Sequence, residues 1–490
     1  MNNILRRSTC LFLSIFSGLL TYAQGITGVW NGSLHVQPKD IPIVFHIGTD
    51  SSGKLIAAFD SPSQNAFGLP VSEVITKEDS VILMIAILGG KYAGVLGGDK
   101  KTINGMWYQG KGSLPLTITK TSDSATVKQQ RRPQTPRPPF PYQVRNVEYW
   151  NSDKSISFGG TLTYPMEESQ VTTAASSGKK GYPAVILITG SGQQDRDEML
   201  LGHKPFAVIA DNLTRRGFVV LRVDDRGVGK TTGDFSQSTS LDFAKDVEAG
   251  LDFLEAQPEV DKEKIGLVGH SEGGLIAPIV AGERKEVKFI VLLAGPGIPS
   301  IDVMTQQTEA VDLSVGRPPA EARAVGGLLH MMWEEINKNE DSATTYKNVR
   351  AGAIAWAAGL DTATRAKIQR RLGGSLEAYL PQAMPVMTSK WFHYFIGFNP
   401  QPYLQKLRCK VLALNGGKDV QVLAAPNLAG IKASLQKSRS PKYDVIELPG
   451  LNHLFQTCRS CSPSEYGELE ETFSPAALAV MDEWLEKNVQ

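Results

Sequence analysis

Three side chains of the types needed to cleave an acyl bond stand far apart in the chain: Ser271, Asp419 and His453. A serine hydroxyl is a weak nucleophile at neutral pH. It needs a general base within hydrogen-bond reach, and that base needs a carboxylate to orient it. Ser271 lies in Gly269-His270-Ser271-Glu272-Gly273, which fits G-x-S-x-G, the nucleophile-elbow pattern. The pentapeptide alone is common, so its flanks decide. Lys264-Ile265-Gly266-Leu267-Val268 before it reads as a short buried strand, and Gly274-Leu275-Ile276-Ala277-Pro278-Ile279-Val280-Ala281 after it reads as the start of a packed helix. Strand, sharp turn and helix is the setting this motif requires, and its glycines leave room where the backbone turns tightly.

The other two groups sit in matching places. Asp419 ends Asn415-Gly416-Gly417-Lys418-Asp419, just after the apolar run 411–414, and His453 ends Pro449-Gly450-Leu451-Asn452-His453, just after the run 443–448. All three are therefore expected beyond the C-terminal ends of strands, on the edge where parallel sheets place ligands. An anionic tetrahedral intermediate also needs two backbone N–H donors. One is expected from Glu272. The other is expected from the loop Thr189-Gly190-Ser191-Gly192-Gln193, with Ser191 and Gly192 as the two candidates. The adjoining Asp195-Arg196-Asp197-Glu198 reads as an ion-paired support for that loop.

Near-continuous apolar runs at 184–188, 218–223, 265–268 and 289–294 describe strands buried on both faces, hence a parallel sheet covered by helices, completed by 411–414 and 443–448. Runs at 144–149 and 156–164 form an opening hairpin pair. Ser240 is expected to cap a helix with Leu241, Phe243, Val247, Leu251 and Leu254 on its apolar face, and Ser474-Pro475 opens the last helix with proline at its first position. Residues 297–403 are far too many for an ordinary connection. They carry helical stretches rich in Met and aromatic side chains, including Met384, Met387, Trp391 and Phe392. A helical lid inserted over the site is expected there.

The N-terminal third is different. Residues 1–23 read as a removed signal peptide: Arg6 and Arg7, an apolar core at 11–20, then small residues ending at Ala23. That core is too short to span a bilayer, so no membrane span is expected and the protein reads as exported, periplasmic or secreted. Residues 24–122 show short strands and turns, a small all-β barrel or sandwich, whose Gly28-Val29-Trp30 resembles the opening of lipocalin-like barrels. Residues 123–143 form a Pro-rich linker, read as an extended, solvated spacer.

Composition narrows the function. Fifty-one basic and 50 acidic residues in 490 leave a net charge of +1, against a nucleic-acid binder. Of 4 cysteines, Cys10 leaves with the signal, Cys409 reads as a buried thiol, and Cys458 and Cys461 are placed for a local disulfide in an oxidising compartment. A zinc pair is the alternative, without a second ligand pair to complete it. Gly229-Lys230-Thr231-Thr232 is similar to the end of a P-loop, but Asp224 stands where that pattern needs glycine. No metal, nucleotide or other cofactor is expected.

Residues 144–490 resemble the α/β-hydrolase superfamily, and more narrowly the bacterial esterases grouped with the serine aminopeptidase-like hydrolases. The resemblance rests on Gly190-Ser191-Gly192-Gln193-Gln194-Asp195-Arg196-Asp197, Asp224-Asp225-Arg226-Gly227-Val228-Gly229, the elbow itself, Gly416-Gly417-Lys418-Asp419 and Asn452-His453-Leu454-Phe455, in that order. It implies an α/β fold, a mostly parallel sheet of about eight strands flanked by helices. It also implies a Ser271–His453–Asp419 triad hydrolysing carboxylic esters of small molecules through an acyl-enzyme. Thr231 departs from the serine of many relatives, and the β domain lies outside the resemblance. Two other readings are a serine peptidase on short peptides, with Asp195, Asp197 and Glu198 anchoring a free amine, and a non-catalytic binding protein with a hydrolase-like core. The sequence sets neither the acyl and alcohol groups nor an oligomeric state.

Overall fold

A computed structural model of the chain describes residues 26–36, 39–50, 53–61, 66–85, 89–109, 112–121, 132–166, 181–338, 341–372 and 375–490. The expected signal peptide, linker residues 123–131 and nearly all of the Ser/Thr/Gly/Lys-rich loop at 167–181 lie outside the described residues. The chain divides into two units, Met1–Arg131 and Arg132–Gln490.

Among its described residues the first unit forms one nine-stranded antiparallel sheet. Its strands are β1 (Gly28–Val36), β2 (Lys39–Thr49), β3 (Leu55–Ser61), β4 (Ala66–Val71), β5 (Glu73–Lys77), β6 (Ser80–Ile85), β7 (Gly90–Leu96), β8 (Thr102–Gln109) and β9 (Gly112–Lys120). The order is β4-β3-β2-β1-β9-β8-β7-β6-β5. Pairing β1 with β9 makes the meander curl, and β5 packs back against β3. Alternate residues point inward, as the pleat requires: Ile43, Phe45 and Ile47 of β2 and Val81, Leu83 and Ile85 of β6 join Trp30, Phe59 and Tyr92 in one core. The sheet is thus a rolled, barrel-like one rather than two stacked layers. Pro42 lies opposite Ser33 of β1, on the part of β2 that β3 does not reach, an edge position of the kind proline tolerates.

The second unit holds an eight-stranded sheet: β10 (Tyr142–Trp150), β11 (Ser157–Pro165), β12 (Tyr182–Ile188), β13 (Val219–Val223), β14 (Val260–His270), β15 (Val287–Leu293), β16 (Lys410–Gly416) and β17 (Tyr443–Leu448), ordered β10-β11-β13-β12-β14-β15-β16-β17. The β10–β11 and β11–β13 pairs are antiparallel and the rest parallel. Helices α1 (Pro205–Arg215), α2 (Ser240–Glu255) and α3 (Gly273–Glu283) precede an insertion with seven helices among its described residues. These are α4 (Ser300–Ser314), α5 (Pro319–Ile336), α6 (Ser342–Ala358), α7 (Thr362–Arg371), α8 (Leu376–Met387), α9 (Lys390–Ile396) and α10 (Gln401–Gln405). Helices α11 (Ala424–Leu435) and α12 (Pro475–Asn488) follow.

Neighbouring strand residues divide between two cores. Ile186, Leu267, Ile290 and Val411 pack with α2, α3 and α11 on one face. Val185, Val268, Val291 and Leu412 pack with α1 and α12 on the other. Burial on both faces is why these strands read as unbroken apolar runs. The insertion between β15 and β16 has its own core of Leu328, Met332, Trp333, Val349, Leu380 and Phe392. Ser474 accepts from the Ala476 N–H and caps α12, with Pro475 behind it, as expected. The cap of α2 shifts by one residue. Thr239, not Ser240, is its N-cap, bonded by its own N–H to the Asp242 carboxylate at 2.8 Å, which leaves the Ser240 hydroxyl free for another partner.

The linker also departs from the expected spacer. The sheet begins at Tyr142 rather than 144. The Arg132 guanidinium donates to the carbonyls of Leu469 at 2.6 Å, Gly467 at 2.7 Å and Leu201 at 3.0 Å. Gln134 donates to the Phe473 carbonyl at 2.6 Å and accepts from the Thr472 N–H at 2.6 Å. Loop carbonyls without a ladder partner need donors, and this stretch supplies them. Arg132→Ala should therefore lower the stability of the second unit by about 1.5–3 kcal/mol, the range for hydrogen bonds to a charged group, read as a lower urea midpoint. An unchanged midpoint would mean the anchor carries no stability.

Candidate active site

The elbow is built by close approach of backbones. Ser271 sits between β14 and α3 in the left-handed region, at φ 53°. A Cβ on Gly269 would lie 2.1 Å from the Gly273 carbonyl oxygen, one on Gly273 2.2 Å from the Ile188 carbonyl oxygen, and one on Gly274 2.7 Å from the Gly295 Cα. Side chains at these positions are sterically excluded. The Ser271 N–H donates to the Leu293 carbonyl at the end of β15, 2.8 Å away, and the Ser271 carbonyl accepts from the Gly274 N–H at 2.9 Å.

His453 and Asp419 meet on the loops after β17 and β16. His453 Nδ1 lies 2.7 Å from Asp419 Oδ2, and both side chains are buried. Asp419 Oδ1 accepts from the Gln421 and Val422 N–H groups at 2.7 and 2.9 Å, which orients the carboxylate. Asn452 Oδ1 accepts from the Leu454 and Gln456 N–H groups and shapes the turn that carries His453. The His453 carbonyl bonds His270 Nε2 at 3.0 Å, and the two imidazole centroids are 4.9 Å apart. The histidine loop is thus fastened to the residue just before Ser271. The structure brings Ser271, Asp419 and His453 to the same end of the sheet.

The Glu272 N–H belongs to the first turn of α3, where N–H groups lack intrahelical acceptors and point outward. Loop 189–193 crosses beside Ser271: a Cβ on Gly190 would lie 3.2 Å from the Ser271 Cβ. Ser191 is exposed, Gly192 is half-buried, and Gly192 has φ 94°. The Asp224–Arg226 segment braces this loop. Asp225 accepts from the Thr189 hydroxyl and the Gln194 N–H, both at 2.8 Å. Arg196 Nε donates to Asp224 at 2.9 Å, and Arg226 pairs with Asp246.

Glu272 has a second part that its place in the motif does not reveal. Its carboxylate is buried and accepts from the Ser240 hydroxyl at 2.6 Å, from Trp391 Nε1 at 3.0 Å, and from Ser191. Burial raises its pKa above the usual carboxylate range, against those three hydrogen bonds. Glu198 belongs to the acidic cluster expected to support its loop, whereas Ser240 and Trp391, expected as a helix cap and in the insertion, carry no local sequence signal for contacts with Glu272. Only proximity in space reveals them.

The acids next to loop 189–193 are all engaged. Asp195 accepts from the Asp197 and Met199 N–H groups. Asp197 pairs with Arg222 and with Lys204. Glu198 bonds His270 and the Gly190 N–H. Cys458 and Cys461 are joined in a disulfide, and Cys409 is a buried free thiol pushed up to about 12 by burial. A cavity of about 60 Å³ is walled by Tyr149, Phe158, Phe235, Phe243 and Ile276. Its lining includes Gly190, Gly192 and Glu272, which flank Ser271, but neither Ser271 nor His453.

Part of the chain is similar to known hydrolases. Residues 204–358 match the family model described as serine aminopeptidase, S33. Esterase EstD of Thermotoga maritima is 30% identical over 148 residues, 29% of this chain and 35% of EstD. The protein PA2218 of Pseudomonas aeruginosa is 34% identical over 83 residues, 17% of this chain and 22% of its own length. The chain thus spans about a third or less of these relatives. Among solved structures, PA2218 has a TM-score of 0.42 at 17% identity, covering 73% of this chain and 98% of that one. The Pyrococcus furiosus esterase Pf2001 has 0.41 at 14% identity, covering 71% and 92%. The sheet order and the elbow are those of an α/β-hydrolase fold, and residues 204–358 are similar to the serine aminopeptidase-like hydrolases.

Burial pushes Asp225 up to about 8 from its ordinary 3.8, against the hydrogen bonds from Thr189 and Gln194. A carboxyl raised on folding stabilises the native state fully below its unfolded pKa and loses that contribution as pH rises through the folded value. The Asp225 contribution to wild-type stability should therefore fall between about pH 4 and pH 8. Asp225→Asn should flatten that fall in denaturant midpoints measured across the window. Equal slopes in the two proteins would show that Asp225 does not titrate there.

Proposed function

We propose that the chain is an exported serine carboxylesterase acting on small-molecule esters. The observation that carries this reading is the fastening of the Ser271 elbow to the loop that holds the His453–Asp419 pair. Ser271 Oγ attacks the ester carbonyl while His453 Nε2 takes its proton. Asp419 holds the Nδ1–H tautomer and stabilises the imidazolium that forms. The Glu272 N–H, with the N–H of Ser191 or Gly192, binds the oxyanion. His453 then protonates the departing alkoxide oxygen as the C–O bond breaks. Water, deprotonated by His453, attacks the acyl-enzyme and releases the acid.

The helical insertion acts as a lid. Trp391 of α9 reaches the Glu272 carboxylate, so the insertion touches the residue that follows the nucleophile. The aromatic-walled cavity beside Gly190 and Glu272 receives the acyl group. Export is supported by the signal-like pattern of residues 1–23 and by the Cys458–Cys461 disulfide. Peptidase action on free amino termini is not favoured, because Asp195, Asp197 and Glu198 already have partners.

The full chain should hydrolyse short acyl esters. Ser271→Ala should cut kcat by roughly a million-fold and Asp419→Asn by about ten-thousand-fold, the scale of triad deletions in serine hydrolases. Unchanged hydrolysis by Ser271→Ala, or faster cleavage of aminoacyl amides than of esters by the wild type, would overturn the reading.

A further inference from the structure

His270 and Glu198 take no part in the reaction above, yet both are buried at its centre. Both ring nitrogens of His270 face acceptors: Nδ1 lies 2.9 Å from Glu198 Oε1, and Nε2 lies 3.0 Å from the His453 carbonyl oxygen. A carbonyl oxygen only accepts, so Nε2 carries a hydrogen. A neutral imidazole has one N–H, and that one is already used. The short Nδ1 contact therefore needs a second proton. Glu198 Oε1 also receives the Gly190 N–H at 2.7 Å, and two donors on one oxygen favour the carboxylate form. The second proton belongs on Nδ1, making His270 an imidazolium whose two hydrogens are both engaged.

The surroundings suit such a pair. Phe206, Ile209, Leu293, Leu454 and Phe473 line a small apolar cavity against Glu198 and His270, so little water competes for their hydrogen bonds. The titratable groups facing the ring are Glu198 on one side and, on the other, His453 with Asp419 behind it. Burial alone would push the His270 pKa down. The charge and hydrogen bond of Glu198, with the His453 carbonyl, hold it above the usual value. Glu198 itself has left-handed backbone, φ 50°, a conformation that non-glycine residues keep only where surrounding contacts demand it.

We propose that Glu198 and doubly protonated His270 form a positioning unit for the esterase reaction proposed above. The unit ties the Gly190 loop, the serine elbow and the His453 loop at one point. Each tie reaches one part of the machinery. Gly190 leads into the Ser191 and Gly192 donors, His270 precedes Ser271, and the His453 carbonyl belongs to the general base. His270 itself cannot serve as a base, since neither nitrogen has a free lone pair. Loss of the unit lets three loops drift against one another, and displacement of about 1 Å in such a site costs on the order of a hundred-fold in rate.

The test uses the full chain. In inert Ser271→Ala protein with ¹⁵N-labelled histidine, NMR at pH 7 should show two slowly exchanging ring N–H signals for His270. Adding Glu198→Gln should leave a single ring N–H signal, because a neutral amide no longer holds the second proton on His270. In the active background, Glu198→Ala should lower kcat by about a hundred-fold with little change in KM. Glu198→Gln, which keeps the side-chain volume but only one of the two bonds made at Glu198 Oε1, should recover only part of that loss. A single ring N–H on His270 in the Ser271→Ala protein, an unimpaired Glu198→Ala enzyme, or a Glu198→Gln enzyme as fast as the wild type would overturn the proposal. Hydrolysis surviving in Ser271→Ala would instead overturn the serine reading, and the two-proton signature of His270 does not depend on it.

Discussion

Backbone crowding around Ser271 sets the terms for the rest of the second unit. The strand β14, the helix α3, the end of β12 and the segment at Gly295 approach so closely that a single Cβ at Gly269, Gly273 or Gly274 would collide with main-chain atoms. Ser271 is held at φ 53° as a result, at a cost of about 1–3 kcal/mol for a residue other than glycine. Packing on both faces of the sheet sustains that strain, and the strain projects the hydroxyl beyond the strand end. Every other group of the site is placed relative to this turn.

A second constraint is charge in a dry place. Ionisable groups crowd the C-terminal edge of the sheet, and a buried charge is costly unless paired and hydrogen-bonded. The chain meets that cost locally. Asp419 pairs with His453 and takes two backbone N–H groups. Glu198 pairs with His270 and takes one. Glu272 takes side-chain donors from α2 and from the insertion. Each arrangement fixes a loop as well as a charge, so the electrostatics and the geometry of the site are one problem.

Much of this was legible in the sequence, for a physical reason. Strands buried on both faces must be apolar throughout, so the runs at 184–188 and 289–294 announce a parallel sheet. A tight elbow must carry glycine, so its motif is local. Asp419 and His453 could be placed because each follows its own strand within a few residues. Glu198 and His270 are 72 positions apart, and Trp391 and Glu272 119 apart. No periodicity or motif links such pairs: Glu198 is legible as part of an ion-paired support for its loop, but not as the partner of His270. The same holds for Arg132, whose acceptors Gly467 and Leu469 lie 335 and 337 residues away. Local competition misled in a different way at α2, where Thr239 and Ser240 are both able to cap and the Asp242 partner selected the former.

The central claim is that Ser271 is a nucleophile activated by His453. A fluorophosphonate tests it directly, because an activated serine oxygen displaces fluoride and keeps the phosphonyl group. Intact-mass and peptide mass spectrometry of the treated full chain should find one phosphonyl adduct, on the peptide that contains Ser271. The adduct should be absent from His453→Ala protein. An adduct on another serine, or equal labelling of the His453→Ala variant, would contradict the account.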